Sequence, residues 1–144
     1  MQSAATDHAR VALALVLAVA AAGGCGRGVG ATATGVVRLD GKPVPAGVIV
    51  RFQPRVPQGS TSIGVTDDHG RFVLKFNATT IGVMPGDSVV SLAIRESYDG
   101  RGVPFIPENL RAIRIPESHG PSSTLVKTVK PGKNVIDIDI GSAP

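Results

Sequence analysis

This chain predicts an all-β fold, a sandwich of about seven strands, on three observations. Apolar and polar residues alternate with a period of two in several separate stretches. Asp-Gly and Pro-Gly turn signals stand between those stretches, and the part that would fold has the size of one domain with one core. Short alternating runs joined by turns argue for two packed layers, because a single open sheet would leave one apolar face in water. An apolar N-terminal segment, expected to be a signal-peptide helix, precedes the sandwich.

In chain order, the first strand is expected over Thr34 to Leu39, closed by the turn Asp40-Gly41-Lys42-Pro43. The second, Gly47 to Gln53, sets Val48, Val50 and Phe52 against Ile49, Arg51 and Gln53. A third runs from Ser60 to Thr66. After the turn Asp67-Asp68-His69-Gly70 a fourth spans Phe72 to Asn77, with Phe72, Leu74 and Phe76 on one face. Pro85-Gly86-Asp87 introduces a fifth strand, Ser88 to Arg95, on the repeat Val90, Leu92, Ile94. The last two, Thr124 to Val129 and Val135 to Ile140, flank Lys130-Pro131-Gly132-Lys133 and read as a hairpin. A three-residue loop sets Val126 opposite Ile138 and Lys127 opposite Asp137, whereas a two-residue loop would bury charge, so the first register is expected. No helix is indicated in the body.

The leader carries Arg10 and the terminal amine against Asp7, then an apolar run from Val11 to Ala22. As a helix this run would reach about 18 Å against a hydrocarbon core of about 30 Å, short for a span and suited to a signal segment. It ends in Gly23, Gly24 and Cys25, the one cysteine of the chain. A lone thiol cannot form an internal disulfide. Ala22-Gly23-Gly24-Cys25 resembles the lipobox of bacterial lipoproteins, with Ala where the usual pattern has Leu, and the resemblance implies that Cys25 is lipidated. Several acyl chains on one residue anchor stably where a single chain would not. The expected division is a leader over 1–24, a lipidated Cys25 with a Gly-rich flexible tether over 25–33, the sandwich over 34–141 and a tail over 142–144. The expected place is the bacterial cell envelope, with the membrane as first partner.

The formal net charge is +4 and does not change when Arg10 and Asp7 leave with the leader. Lys127, Lys130 and Lys133 are its densest cluster, and they flank a turn, which reads as a solvated hairpin end. Nucleic acid is not an expected partner: four Phe and one Tyr are too few for stacking platforms. Beyond the leader the histidines are His69 and His119, with no zinc spacing, and Asp67 and Asp68 read as turn-capping residues rather than a calcium cage. There is no Gly-x-Ser-x-Gly elbow, and Gly100-Arg101-Gly102 opens no helix that could hold phosphate. No metal, cofactor or catalytic residue is expected.

The connection from Glu96 to Ser123, roughly 28 residues, is long for a compact domain. It holds most of the polar variety of the chain, and Tyr98, Asp99, Arg101, Arg111, Arg114 and His119 are the candidate recognition residues. The competing reading is that Val103, Phe105, Ile106, Leu110, Ile113 and Ile115 lay the segment over an open edge to protect it.

Val36-Val37-Arg38-Leu39-Asp40-Gly41-Lys42-Pro43, Thr66-Asp67-Asp68-His69-Gly70-Arg71-Phe72, Met84-Pro85-Gly86-Asp87 and Val129-Lys130-Pro131-Gly132-Lys133-Asn134 follow one another in an order that resembles bacterial lipoproteins with a carboxypeptidase-regulatory-like, or transthyretin-like, domain. The resemblance covers Thr34 to Ile140. Ser118 and His119 stand where that family has Lys and Tyr. It implies a seven-stranded, Ig-like or prealbumin-like sandwich that is usually a non-catalytic module; the expected partner beyond the membrane is an envelope protein or polysaccharide of unknown identity. Two alternatives come from other classes. A transthyretin-like hydrolase would end in Tyr-Arg-Gly-Ser, whereas this chain ends Ile140-Gly141-Ser142-Ala143-Pro144. A carbohydrate-binding module would stack sugars on Trp or Tyr; there is no Trp and the one Tyr is Tyr98, which leaves recognition by polar loops.

Overall fold

The computed structural model describes residues 29–141, so the leader, Cys25 and the tail lie outside the described residues. The body is all-β. Strands β1 (Ala31–Leu39), β2 (Lys42–Pro43), β3 (Val48–Pro54), β4 (Ser62–Val65), β5 (Arg71–Val73) and β6 (Gly86–Ile94) come first. They are followed by β7 (Ser97–Tyr98), β8 (Pro104–Phe105), β9 (Val126–Val129), β10 (Gly132–Val135) and β11 (Ile138–Ile140). The only helical pieces among the described residues are single 3-10 turns at Glu108–Leu110 and Glu117–His119, and no helix there is long and apolar enough to cross a membrane.

Two sheets share one core. In the first, β1 is central: β10 and then β11 run parallel to it on one side, while β5 and β2 pair with it antiparallel. The second has the antiparallel order β4-β3-β6-β9. The inward residues are those of the alternation: Val37, Phe72, Leu74, Ile138 and Ile140 from one sheet, and Val48, Val50, Phe52, Val90, Leu92 and Val129 from the other, all buried in one cluster. The first strand begins three residues earlier than expected, because Ala31 and Ala33 are themselves buried and pair with β10. The segment expected as tether is shorter by those residues.

The turns follow their residues. Asp40 and Gly41 both hold positive φ, 51° and 78°, and join β1 to β2 with Leu39 opposite Lys42, the Asp-Gly hairpin geometry. Asp67 accepts the N–H groups of His69 (2.8 Å) and Arg71 (2.9 Å) on Oδ1, so its carboxylate closes the turn before β5. Those two donors, Arg71 first, hold the Asp67 carboxyl below the usual carboxylate range.

The expected C-terminal hairpin does not form. β9 pairs with β6, setting Lys127 opposite Ser88 and Val126 opposite Val89, while the chain beyond Gly132 crosses to the other sheet and runs beside β1. The hairpin reading compared only registers between sequence neighbours. The nine-residue β1 offers a longer ladder to the same alternating residues. Asn134 makes the crossing: Oδ1 accepts Lys130 N–H (2.9 Å), and Nδ2 donates to the carbonyls of Lys130 (2.7 Å) and Thr32 (3.1 Å).

The last expected strand is also interrupted, between β10 and β11, at Ile136 and Asp137. There the backbone ladder breaks without a change of register, and the Asp137 carboxylate replaces the missing acceptor by taking the Val36 N–H at 3.0 Å. Its other oxygen receives Arg38 Nη1 at 2.9 Å, with Asp139 3.7 Å from the same nitrogen. The two aspartates therefore face Arg38, not Lys127. The Arg38 guanidinium, then the Val36 N–H, hold the Asp137 carboxyl below its ordinary range. A carboxyl lowered on folding adds stability that is present above its unfolded pKa, about 3.9, and lost as the pH falls through the folded value. The thermal midpoint of the wild type should drop between about pH 5 and pH 2. Asp137→Asn should melt lower at pH 7 and converge on the wild type at the acid end; parallel melting curves across that range would contradict the assignment.

Candidate functional site

The body has two ends. Ala31, where β1 enters, lies beside Val83 and Gly132, and Gly86 at the start of β6 pairs with Val129 nearby. At the other end stand Leu39, Gly47 and Ile94, joined by Arg95 N–H to Gly47 O (2.9 Å) and Val48 opposite Ile94. The nine residues of β1 separate these ends by about 30 Å. The long connection leaves β6 at the second end, so the candidate recognition residues collect away from the chain's entry.

This segment divides in two. Its first half is the β7–β8 hairpin, with Ser97 opposite Phe105 and Tyr98 opposite Pro104. Asp99 ties the tip as Asp67 ties its turn, accepting Arg101 N–H (2.8 Å) and Val103 N–H (2.9 Å). Tyr98 is 66 % exposed, and Val103, Phe105 and Ile106 are exposed with it, so they cover nothing. The second half does cover the end: Leu110 is buried, Ile113 and Ile115 pack on the core, and Asn109 Nδ2 donates to Ala46 O at 3.0 Å. The covering reading fits the second half alone, and the first half stands clear of the core.

Of the six candidates, Tyr98, Asp99 and Arg101 share the hairpin tip. Arg111 and Arg114 lie at the first 3-10 turn and spend donors on backbone, Nε of Arg111 on Ile106 O (3.3 Å) and Nη1 of Arg114 on Arg111 O (2.7 Å). His119 ends the second 3-10 turn, its Nδ1 3.0 Å from Ser118 Oγ. The hydrogen bonds within the six, Asp99 to Arg101 N–H and Arg114 to Arg111 O, are side chain to backbone and local, and among the described residues no group of His, Cys, Asp and Glu is placed to share a metal. The six therefore lie along a mostly exposed stretch, with Tyr98, Asp99 and Arg101 at the hairpin tip and Arg111, Arg114 and His119 beyond it.

A second feature was not singled out from the sequence. In β4 the small residues Ser62 and Gly64 point inward, and Ile63 and Val65 stand outward, 43 % and 40 % exposed. Across from them Phe72 and Leu74 are buried while Arg71, Val73 and Lys75 point out. Ile63 and Lys75 exchange both backbone hydrogen bonds at 2.9 Å, which holds the two sheets together on this side. Beyond Lys75 the chain turns back through Phe76 N–H to Thr80 O (2.8 Å), with Asn77 Oδ1 accepting Thr79 and Thr80 N–H groups. The turn forms a wall, and between it and the strands lies a mostly apolar groove of about 680 Å³. The signal for it was present in Ser62-Ile63-Gly64-Val65, where the large residues share one parity and the small ones the other.

No family model matches the chain, and no curated relative does. Among solved structures, a 9R-lipoxygenase from Cyanothece PCC8801 is similar over 76 % of this chain and 15 % of its own, at 18 % identity and a TM-score of 0.31. The chain thus spans a small part of that protein, and a likeness so weak carries neither fold nor function across.

Proposed function

We propose that this protein is an exported, lipid-anchored module of the bacterial cell envelope. Its body would be a non-catalytic, seven-stranded prealbumin-like sandwich that binds or spaces an envelope protein or polysaccharide. The observation that carries this reading is the apolar run Val11 to Ala22 ending in Gly23-Gly24-Cys25, a few residues ahead of the first buried strand residue, Ala31. The placement of the β7–β8 hairpin supports it: an anchor before β1 would leave Tyr98, Asp99 and Arg101 at the end of the body that faces away from the membrane. Neither enzyme chemistry nor an aromatic sugar platform is part of the proposal. The test is metabolic labelling with a fatty acid. The wild type should take up label and sediment with membranes, and Cys25→Ser should remain unlabelled and move to the soluble fraction; equal labelling of both would end the proposal.

A further inference from the structure

We propose that the groove between β4, β5 and the 76–80 turn binds a long-chain carboxylate, with the acyl chain along Ile63, Val65 and Val73 and the head group at Lys75 and Asn77. The inference is independent of the lipid anchor. Outward positions on a sheet are ordinarily polar. Here three β-branched side chains on adjacent strands are each 40 to 43 % exposed, and their neighbours Phe76 and Phe72 extend the same apolar lining inward. The three side chains form one continuous apolar strip on the outer face rather than scattered exposures. The surface is also concave, because the Asn77-capped turn rises beside it, and its volume of about 680 Å³ falls within the roughly 300–1,000 Å³ of small-molecule sites.

Charge selects the occupant. Two cations line the groove, Arg71 at one end and Lys75 at the other, about 13 Å apart along an extended strand. Arg71 lies beside the ionised Asp67, whose carboxylate already accepts the Arg71 and His69 N–H groups. That end is close to neutral. Lys75 makes no ion pair with any described residue, and Asn77, whose Oδ1 is occupied by the turn, keeps Nδ2 as a free donor beside it. The groove is therefore positive at one end and apolar along its length. A molecule with one anionic oxygen pair and a flexible apolar chain matches it, whereas a neutral lipid leaves the ammonium unused and a short acid leaves the apolar lining wet.

The experiment is calorimetric titration of the full-length Cys25→Ser chain with dodecanoate below its micellar concentration, alongside hexanoate and dodecanol. Dodecanoate should bind saturably at one site, and the other two at least about tenfold more weakly. Lys75→Gln should weaken dodecanoate about fivefold and leave dodecanol unchanged. Val73→Asp should weaken it about tenfold or more, with Val65→Asp as the second variant should the first melt early. Phe105→Ser, on the distant hairpin, should bind as the wild type does. Absence of saturable dodecanoate binding, wild-type affinity in both groove variants, or dodecanol binding as tightly as dodecanoate would overturn the proposal. So would self-association that Val73→Asp abolishes and dodecanoate does not disturb, since a second copy would then occupy the face.

Discussion

Phe52→Ala should lower the stability of this protein by about 3–5 kcal/mol, and Phe72→Ala by a similar amount, in denaturant unfolding of the purified chain. Phe52 lies in β3, an inner strand of the second sheet, opposite Ser62 of β4 and Val90 of β6, and is wholly buried. Phe72 comes from the other sheet and meets it across the shared core. Truncating either ring removes apolar surface and leaves a hole that neighbours held in two ladders cannot close, so the transfer and cavity terms add. Phe105→Ala is the control: its ring is 45 % exposed on the β7–β8 hairpin, and the change should fall within about 0.5 kcal/mol. A cost near zero at Phe52 and Phe72 alike would mean that the two sheets do not pack as described.

The contrast among these three phenylalanines also marks what was legible in the residues. Phe52 and Phe72 sit in runs with a clean period of two, and the face they occupy followed from that parity alone. So did Val48, Val50, Val90, Leu92, Ile138 and Ile140, because parity is a local property that tertiary structure had no reason to override. Phe105 sits among prolines and turn residues, where no period tells inside from outside. The pairing partners were less legible. Which strand lies beside β10 and β11 depends on β1, about a hundred positions earlier, and the hairpin expected for Val126 and Ile138 lost to that non-local ladder. The break in the ladder at Ile136 and Asp137 is hidden for the same reason, since Arg38 and Val36, the groups that occupy the Asp137 carboxylate, come from that strand. Of the candidate surfaces, the loop residues were found from length and polarity. The groove is less legible, because the alternation of Ser60 to Thr66 marks a strand whichever parity holds its large residues, and here that parity faces outward.

Gly35→Ala should cost about 3 kcal/mol or more, the upper end of what overpacking does. Gly35 has ordinary φ, so its need for glycine is one of space. A Cβ built there would stand 2.0 Å from the carbonyl oxygen of Ile136, 2.6 Å from its carbon and 3.0 Å from Cε1 of Phe72. Two of those three atoms are backbone at the break between β10 and β11, and a backbone cannot rotate out of the way as a flexible side chain can. Either β1 moves off Phe72 or the 136–137 segment moves off β1. The second movement pulls Asp137 from both the Val36 N–H and Arg38, so a methyl group would break interactions it does not touch. Gly41 supplies the comparison: it holds a φ of 78° in the β1–β2 turn, with nothing within 4 Å of an added Cβ. Gly41→Ala should therefore show backbone conformation alone, about 1 kcal/mol. The larger loss at Gly35 should come with faster hydrogen exchange at the Val36 amide, while Gly41→Ala leaves that amide protected. If Gly35→Ala instead melts like the wild type, the 136–137 segment does not press on β1, and the packing of Asp137 against Val36 and Arg38 is looser than its distances imply.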